Sequence, residues 1–263
     1  MNEGTNGHQG SKTWVDHVPV LWAEPSEGMP DRKLIIALPG LSGTKESMVN
    51  PLLQDLASAG FVAASFDPWQ HGERGTENRE QISARVFGNF RRHFWPILGN
   101  TALDTLRVID WALAHFELKP PVFMLGTSMG GDIAVAAAGL DHRIGRVATV
   151  ASTPDWLRPG MSRRGVLAPQ GEPDAYAQYF YDSLNPFTHL DAFAHAPKIR
   201  FVCGEQDDHV RPDGALRFQK ALKEKYPRAG ENVLVTLVPG KGHMDLADPK
   251  LWWPDALRWL MRP

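Results

Sequence analysis

The chain has 263 residues, 43% of them hydrophobic and 22% charged, which is the composition of an ordinary globular protein. Its formal net charge of −2 gives no general attraction to nucleic acid, so we expect no nucleic-acid partner. A single cysteine, Cys203, excludes a disulfide framework. Residues 1–12 lack the features of a signal peptide, and no apolar run approaches a membrane span. We therefore expect a cytoplasmic protein without a membrane span.

Strands and helices alternate along the first half of the chain. Residues 33–38 form a run that is continuously apolar after Lys33 and ends before Pro39-Gly40, as is typical of a strand buried on both faces of a parallel sheet. A polar stretch over 76–99 has no assignable pattern. The elements predicted here are a strand or hairpin over 14–24, strands over 33–38 and 61–66, and helices over 45–58 and 101–116.

The second half continues this alternation with one interruption. Segment 155–197 is rich in proline and aromatic residues and is too long for an ordinary connection. We interpret it as a small cap within a single domain of residues 1–263. The alternation predicts an α/β fold, with a mostly parallel central sheet flanked by helices. The other elements predicted here are strands over 144–151, 198–204 and 232–238, and helices over 213–226 and 248–261.

A short motif, Gly126-Thr127-Ser128-Met129-Gly130, lies between an apolar run and a run of small residues. A strand, a sharp turn and a helix in this order, with G-x-S-x-G at the turn, are typical of a nucleophile elbow. A side chain at Gly126 or Gly130 would collide with the neighbouring backbone. Taken alone, the motif also fits a glycine-rich turn with a capping serine.

Two later loops contain an acid and a base that a nucleophilic serine requires. Asp207 follows the strand that ends at Gly204, and Asp208 is the competing carboxylate. His243 follows the last predicted strand in a glycine-rich loop, where a surface histidine is the alternative. Because loops at the carboxyl ends of parallel strands meet at one edge of a sheet, we expect these groups, and segment 155–197, to lie near Ser128.

Together these motifs resemble those of the α/β-hydrolase superfamily, within its serine esterases and its dienelactone-hydrolase-like or acylaminoacyl-peptidase-like members. The resemblance extends from about residue 34 to residue 261. It implies the α/β-hydrolase fold and a triad of Ser128, Asp207 and His243. The family pattern places the acid three residues after the strand-ending glycine, which selects Asp207 over Asp208.

The resemblance also implies an oxyanion hole made by two backbone N–H groups. One belongs to Met129, and the other belongs to Leu41, with Ser42 as the alternative. Many relatives have His-Gly in this loop, where the chain has Pro39-Gly40. Because only the backbone donates, we expect the oxyanion hole to be retained.

Aromatic residues of the predicted loops and of segment 155–197 are candidates for lining an apolar acyl site. We assign this role to Trp69, Trp95 and Trp156, with ordinary packing as an equal alternative for each. His71 is more typical of a structural histidine that satisfies loop carbonyls. No metal-ligand spacing and no dinucleotide motif is present, so we expect no metal and no cofactor.

These features predict a serine hydrolase that cleaves a carboxylic ester of a small molecule through an acyl-enzyme. Thioesterases, amidases or peptidases, and C–C hydrolases use the same triad, and the sequence leaves these alternatives open. A non-catalytic binding protein of the same fold is the alternative of a different class. The sequence predicts neither a monomer nor a homodimer in preference to the other.

Overall fold

An eight-stranded sheet forms the centre of the computed structural model, which describes residues 11–26, 32–163 and 165–262. Its strands are β1 Ser11–Val15, β2 Val18–Ala23, β3 Lys33–Leu38, β4 Phe61–Phe66, β5 Val122–Thr127, β6 Ile144–Val150, β9 Lys198–Gly204 and β10 Val233–Val238. Strands β7 Ser162–Arg163 and β8 Val166–Leu167 form a separate two-stranded sheet. The sheet order is β1-β2-β4-β3-β5-β6-β9-β10. Pairing is antiparallel from β1 to β4 and parallel from β4 to β10.

Helices cover both faces of this sheet. They are α1 Gln54–Ser58, α2 Arg79–Gly88, α3 Phe90–His115, α4 Met129–Leu140, α5 Ala175–Leu184, α6 Asp213–Lys225, α7 Pro227–Glu231 and α8 Trp253–Leu260. Short 3-10 helices lie at Lys45–Met48, Gly72–Arg74, Pro186–Thr188, Leu190–Phe193, Met244–Ala247 and Pro249–Leu251. The predicted α/β-hydrolase fold, with its mostly parallel sheet between helices, is therefore confirmed.

Strand β3 shows why its sequence is apolar at every position after Lys33. Its side chains alternate between two hydrophobic clusters, one on each face of the sheet: Leu34 and Ile36 lie in the first, and Ile35 and Ala37 in the second. The first cluster contains residues of α3, α4 and α6, and the second contains residues of α1 and α8. A strand covered on both faces needs apolar residues in both registers.

Three helix predictions differ from the structure. The helix predicted over 248–261 is divided into the 3-10 helix Pro249–Leu251 and α8. The helix predicted over 45–58 is interrupted at Asn50, whose extended backbone is the conformation that a following proline favours. The helix predicted over 101–116 begins at Phe90, within the stretch without an assignment. Gly99 and Pro96 argue against a helix by propensity, but a Cβ on Gly99 would lie 2.0 Å from the Phe180 ring. The close packing of α5 on α3 therefore explains this glycine.

Segment 155–197 contains the β7–β8 hairpin and α5. Trp156, Met161 and Phe180 from this segment are buried in the same cluster as α3 and α4, so the segment packs onto the body of the domain. Tyr176 and Tyr179 are exposed. A cap function for the segment stays a prediction, as does the single domain of 1–263, which includes residues 1–10 and 27–31 that lie outside the described ones.

A helix that crosses a membrane must be both long and apolar. Among the described residues, the structure contains no helix that is both long and apolar enough to cross a bilayer.

Candidate active site

The turn between β5 and α4 holds Ser128 in an unusual backbone conformation, with φ 50° and ψ −117°. A residue other than glycine rarely adopts a positive φ, and it keeps that conformation only where its surroundings enforce it. Here the Ser128 N–H donates to Val150 O at 2.7 Å, and the Ser128 carbonyl accepts from Gly131 N at 2.9 Å. These bonds fix the serine at the carboxyl end of a central strand and the start of a helix.

Two glycines make this turn possible, as the sequence predicted. A Cβ on Gly126 would lie 2.2 Å from Gly130 O, and a Cβ on Gly130 would lie 2.2 Å from Leu38 O. Both distances are far shorter than carbon and oxygen tolerate without a bond. The glycines therefore allow α4 to approach both β5 and the neighbouring strand β3.

The structure brings Ser128, His243 and Asp207 together from loops after β5, β10 and β9. Ser128 Oγ lies 3.1 Å from His243 Nε2, and His243 Nδ1 lies 2.8 Å from Asp207 Oδ2. The other Asp207 oxygen accepts from the N–H groups of His209 and Val210 at 3.0 and 2.7 Å. The carboxylate is buried and oriented. This geometry suits a proton on Nδ1 and a free Nε2 that accepts from the serine hydroxyl.

The competing carboxylate, Asp208, has different partners. Its Oδ2 accepts from the Ser162 hydroxyl and, at 3.0 Å, from Gly165 N. The Ser162 hydrogen bond holds the pKa of Asp208 below its usual value, with the Gly165 N–H adding to the effect. Asp208 therefore fastens the β7–β8 hairpin to the loop that contains Asp207.

His209 packs against the imidazole of His243. The two rings meet edge to face with centroids 4.9 Å apart, and the ring of Phe87 lies 5.6 Å from His209. Burial, together with the nearby charge of Arg158, lowers the pKa of His209 to about 3. His209 thus stays neutral and serves as part of the wall behind His243.

A buried ion pair behind the turn was missed by the sequence analysis. Asp132 lies one helical turn after Ser128, is fully buried, and accepts from Thr153 N at 2.7 Å and from the Arg158 guanidinium. Burial raises the pKa of Asp132, and Arg158 opposes that rise. A signal was present, since Asp132 is the single charged residue in an otherwise apolar helix.

The two predicted oxyanion donors belong to different segments, since Met129 follows Ser128 directly and Leu41 lies in the loop after β3. Met129 is buried at the first position of α4. In the loop after β3, a Cβ on Gly40 would lie 3.5 Å from Ser128 Cβ, so the residue preceding Leu41 is adjacent to the serine. Leu41 and Ser42 also line a groove of about 570 Å³ that faces the start of α2.

The three tryptophans have different surroundings. Trp95 lies in α3, so its assignment to a loop is wrong, and its ring stacks on Tyr181 with centroids 4.4 Å apart. Trp95 and Trp156 are 1% and 0% exposed, and Trp95 Nε1 donates to Trp156 O at 3.0 Å. Neither presents surface to a substrate, so the packing alternative describes both. Trp69 is partly buried, beneath the Arg74 guanidinium at 5.1 Å, and its pocket role stays a prediction.

The surroundings of His71 are those of a structural histidine that binds a loop carbonyl, as the sequence analysis expected. Its ring is fully buried, and Nδ1 lies 2.9 Å from Trp69 O within the same loop. Burial lowers the pKa of His71. In the part of the chain that the structure describes, no three His, Cys, Asp or Glu side chains are grouped as metal ligands.

Solved structures of other proteins share this fold. TT1662 from Thermus thermophilus has a TM-score of 0.69 at 20% identity, over 97% of this chain and 98% of that one. Est1E from Butyrivibrio proteoclasticus, with ferulic acid bound, has a TM-score of 0.66 at 16% identity, over 95% and 98% of the two chains. An acylaminoacyl peptidase in complex with Z-Gly-Gly-Phe-chloromethyl ketone has a TM-score of 0.68 at 14% identity. That alignment covers 97% of this chain and 41% of the peptidase.

Comparison of the sequence with curated proteins and with family profiles assigns the chain to a family. No curated protein matches the chain. The profile of the prolyl oligopeptidase family, peptidase family S9, matches residues 49–260. This match covers more than half of the chain and includes Ser128, Asp207 and His243. The chain therefore belongs to the prolyl oligopeptidase family, within the serine hydrolases of the α/β-hydrolase superfamily.

Proposed function

We propose that this protein is a serine hydrolase that cleaves carboxylic esters through a triad of Ser128, His243 and Asp207. One observation carries the proposal: the Ser128 hydroxyl, the His243 imidazole and the Asp207 carboxylate form a continuous chain of contacts at 3.1 and 2.8 Å. A serine hydroxyl is a poor nucleophile by itself, and an oriented histidine base is what activates it.

In this proposal, Ser128 Oγ attacks the ester carbonyl while His243 Nε2 takes its proton. Asp207 holds the imidazole in the required tautomer and stabilises the imidazolium that forms. The N–H groups of Met129 and Leu41 donate to the oxyanion of the tetrahedral intermediate. His243 then protonates the departing alcohol, which leaves an acyl-enzyme at Ser128.

In the second half of the cycle, water takes the place of Ser128 as the nucleophile. His243 removes a proton from a water molecule, which attacks the acyl carbon. The second tetrahedral intermediate then collapses to the carboxylic acid as His243 returns that proton to Ser128 Oγ. Every proton in this scheme passes between the substrate, water, Ser128 and His243, and the steps use no cofactor.

The preference for a small ester over a peptide is supported by the fraction of each similar protein that aligns with this chain. The alignment covers 98% of Est1E, and the ferulic acid bound there is a carboxylic acid such as an ester would release. Only 41% of the acylaminoacyl peptidase is covered. Membership of a peptidase family favours amide or peptide cleavage as the second candidate, since the same triad serves both reactions.

A labelling experiment tests the catalytic role of the triad. The native protein is treated with a fluorophosphonate probe, and the modified residue is mapped by mass spectrometry. We expect one adduct on Ser128 that disappears in Ser128→Ala and is strongly slowed in His243→Ala. Undiminished labelling of Ser128→Ala would reject the assignment of Ser128.

A substrate panel then distinguishes the two candidate reactions. We expect p-nitrophenyl acetate and butyrate to be hydrolysed with higher kcat/KM than acyl-CoAs and aminoacyl p-nitroanilides. Turnover of anilides above that of esters would transfer the proposal to the peptidase candidate. A protein that binds these compounds without turnover or labelling would fit the non-catalytic alternative.

A further inference from the structure

A fully buried lysine stands at the end of the loop that contains Leu41. The Lys45 side chain is 1% exposed, and it ends beside Asp67, whose side chain is 0% exposed. Burial of a charged ammonium group is costly unless partners compensate for the lost water. A charge at this depth is therefore expected to have a structural or functional reason.

Asp67 binds Lys45 at two points. Its Oδ1 accepts from the backbone N–H of Lys45 at 2.9 Å, and its Oδ2 accepts from Lys45 Nζ at 2.9 Å. The same Oδ2 accepts from Glu73 N at 2.9 Å. A Cβ on Gly72 would lie 2.3 Å from this carboxylate, so the loop after β4 closes tightly around Asp67.

The ammonium group of Lys45 is fully compensated. Besides Asp67 it contacts Glu73 Oε1 at 2.5 Å and Glu46 Oε1 at 2.9 Å. Burial alone would lower the pKa of Lys45, but the hydrogen bonds that its ammonium donates to Glu73, Glu46 and Asp67 outweigh burial and raise the pKa above its usual value. Lys45 is therefore a permanent cation that joins the loops after β3 and β4.

The loop after β3 is short, so this attachment reaches Leu41. Only six residues separate the end of β3 from Lys45, and Gly43 N donates to Gly40 O at 2.9 Å across a turn that has Leu41 and Ser42 at its centre. Ser42 adopts a φ of 64°. The direction of the Leu41 N–H is thus set by β3 on one side and by Lys45 on the other.

We propose that Lys45 and Asp67 are positioning residues that hold the Leu41 N–H in place to stabilise the oxyanion formed at Ser128. This inference rests on the proposed function, because it assigns a task within the same site. The pair does not touch the substrate, and acts through the loop. An oxyanion donor works only when it is fixed at the position where charge develops, so a displaced loop weakens the transition state more than the bound substrate.

The test compares two ion pairs that lie at opposite ends of the sheet. Lys45→Met with Asp67→Asn removes both buried charges together. The two carboxylates that lose Lys45, those of Glu46 and Glu73, are 53% and 40% exposed, so water can solvate them. The matched control is Arg143→Met with Asp141→Asn, which removes the pair that follows the distal end of α4. Each protein is assayed for melting temperature, kcat and KM on p-nitrophenyl acetate, and the rate of phosphonylation by a fluorophosphonate.

A transition-state probe separates positioning from general destabilisation. A trifluoromethyl ketone forms a hemiketal oxyanion with the serine, whereas the matching methyl ketone binds mainly without reacting. For the Lys45/Asp67 variant we expect kcat, phosphonylation and trifluoromethyl ketone affinity to fall by about 10²-fold, the loss that a small misplacement of a catalytic group causes. KM and methyl ketone affinity should change less than about threefold, and the control should keep wild-type values of all these quantities.

The outcomes distinguish this inference from the proposed function. If the wild type is labelled at Ser128 and the Lys45/Asp67 variant reacts at the wild-type rate, the positioning role is rejected while the proposed function stands. If wild-type Ser128 is unreactive, both are rejected. Should the double variant fail to fold, Asp67→Asn alone, which keeps the size of the side chain, is judged by the same criteria.

Discussion

Asp207 and Asp208 are adjacent in the chain, yet their carboxylates bind different parts of the molecule. Asp207 Oδ2 lies 2.8 Å from His243 Nδ1, whereas Asp208 Oδ2 accepts from Ser162 and Gly165 of the β7–β8 hairpin. Asp207 is buried, and Asp208 is exposed. One loop therefore orients the histidine with its first carboxylate and fastens the hairpin with its second.

This division predicts unequal effects of two conservative substitutions. We expect Asp207→Asn to lower kcat by about 10³- to 10⁴-fold without unfolding the protein, because the imidazole loses the acceptor that fixes its tautomer. Asp208→Asn should leave kcat on p-nitrophenyl acetate within a few-fold of wild type. Kinetics with circular dichroism as the folding control measure both. A crippled Asp208→Asn beside a nearly normal Asp207→Asn would show that the acid is misassigned.

His209 predicts a loss of stability at acid pH. Burial holds its pKa at about 3 in the folded protein, against 6.5 for an ordinary histidine. Below pH 6.5 the unfolded chain binds a proton that the folded chain refuses, so the free energy of unfolding falls as the pH falls toward 3. Between pH 7 and pH 5 this group should cost about 2 kcal/mol of stability.

Substitution of His209 checks that assignment. Urea unfolding of wild type and His209→Gln at pH 7 and pH 5 gives the stability change of each protein. We expect the variant, which has no titrating ring at this position, to lose about 2 kcal/mol less than wild type over this interval. Equal losses in the two proteins would show that other groups cause the fall in stability between pH 7 and pH 5.

Gly130 predicts a position that tolerates no side chain. A Cβ there would lie 2.2 Å from Leu38 O, so Gly130→Ala must push α4 away from β3 and should destabilise by about 3 kcal/mol or more. The matched control is Gly88→Ala at the end of α2, where a Cβ meets nothing within 4 Å. That change should stabilise slightly, by up to about 1 kcal/mol. Thermal melting ranks the two, and similar melting temperatures would contradict the steric argument.

Trp156 predicts a large effect on stability. Its side chain is 0% exposed within the core cluster, so Trp156→Ala should cost about 3 to 5 kcal/mol. Tyr179→Ala, from the same segment but 64% exposed, should cost about 0.5 kcal/mol or less. Chemical denaturation measures both values. A nearly unchanged stability for Trp156→Ala, with an altered preference among acyl chain lengths, would restore the pocket role.

The parts of the fold that the sequence predicted well depend on local patterns. The apolar run of β3 and the glycines around Ser128 carry their structural meaning within a few residues. The order of the triad residues and their positions after strands are also readable along the chain. Parallel strands bring such loops to one edge of the sheet, so the proximity of Ser128, Asp207 and His243 could be anticipated.

The parts that were missed depend on residues distant in sequence. The start of α3 was hidden because Gly99 has low helix propensity, and its reason is Phe180, which lies some 80 residues later and occupies the space of its side chain. Trp95 was assigned to a loop for the same reason, because it lies in the part of α3 that was not predicted. The pairing of Asp132 with Arg158, and of Lys45 with Asp67, likewise exists only in three dimensions. Local propensity contains no information on any of these contacts.

The position of β10 at the rim of the sheet has a consequence for how activity is lost. In the described structure this strand is hydrogen-bonded to β9 alone, while β5, which precedes Ser128, lies between two partners. Outer elements open with smaller free energies than central ones, as separate cooperative units. Fraying of β10 would carry the base away from an intact nucleophile. Inactivation by denaturant should therefore precede the loss of tryptophan fluorescence from the core, and it should reverse without refolding of the whole domain.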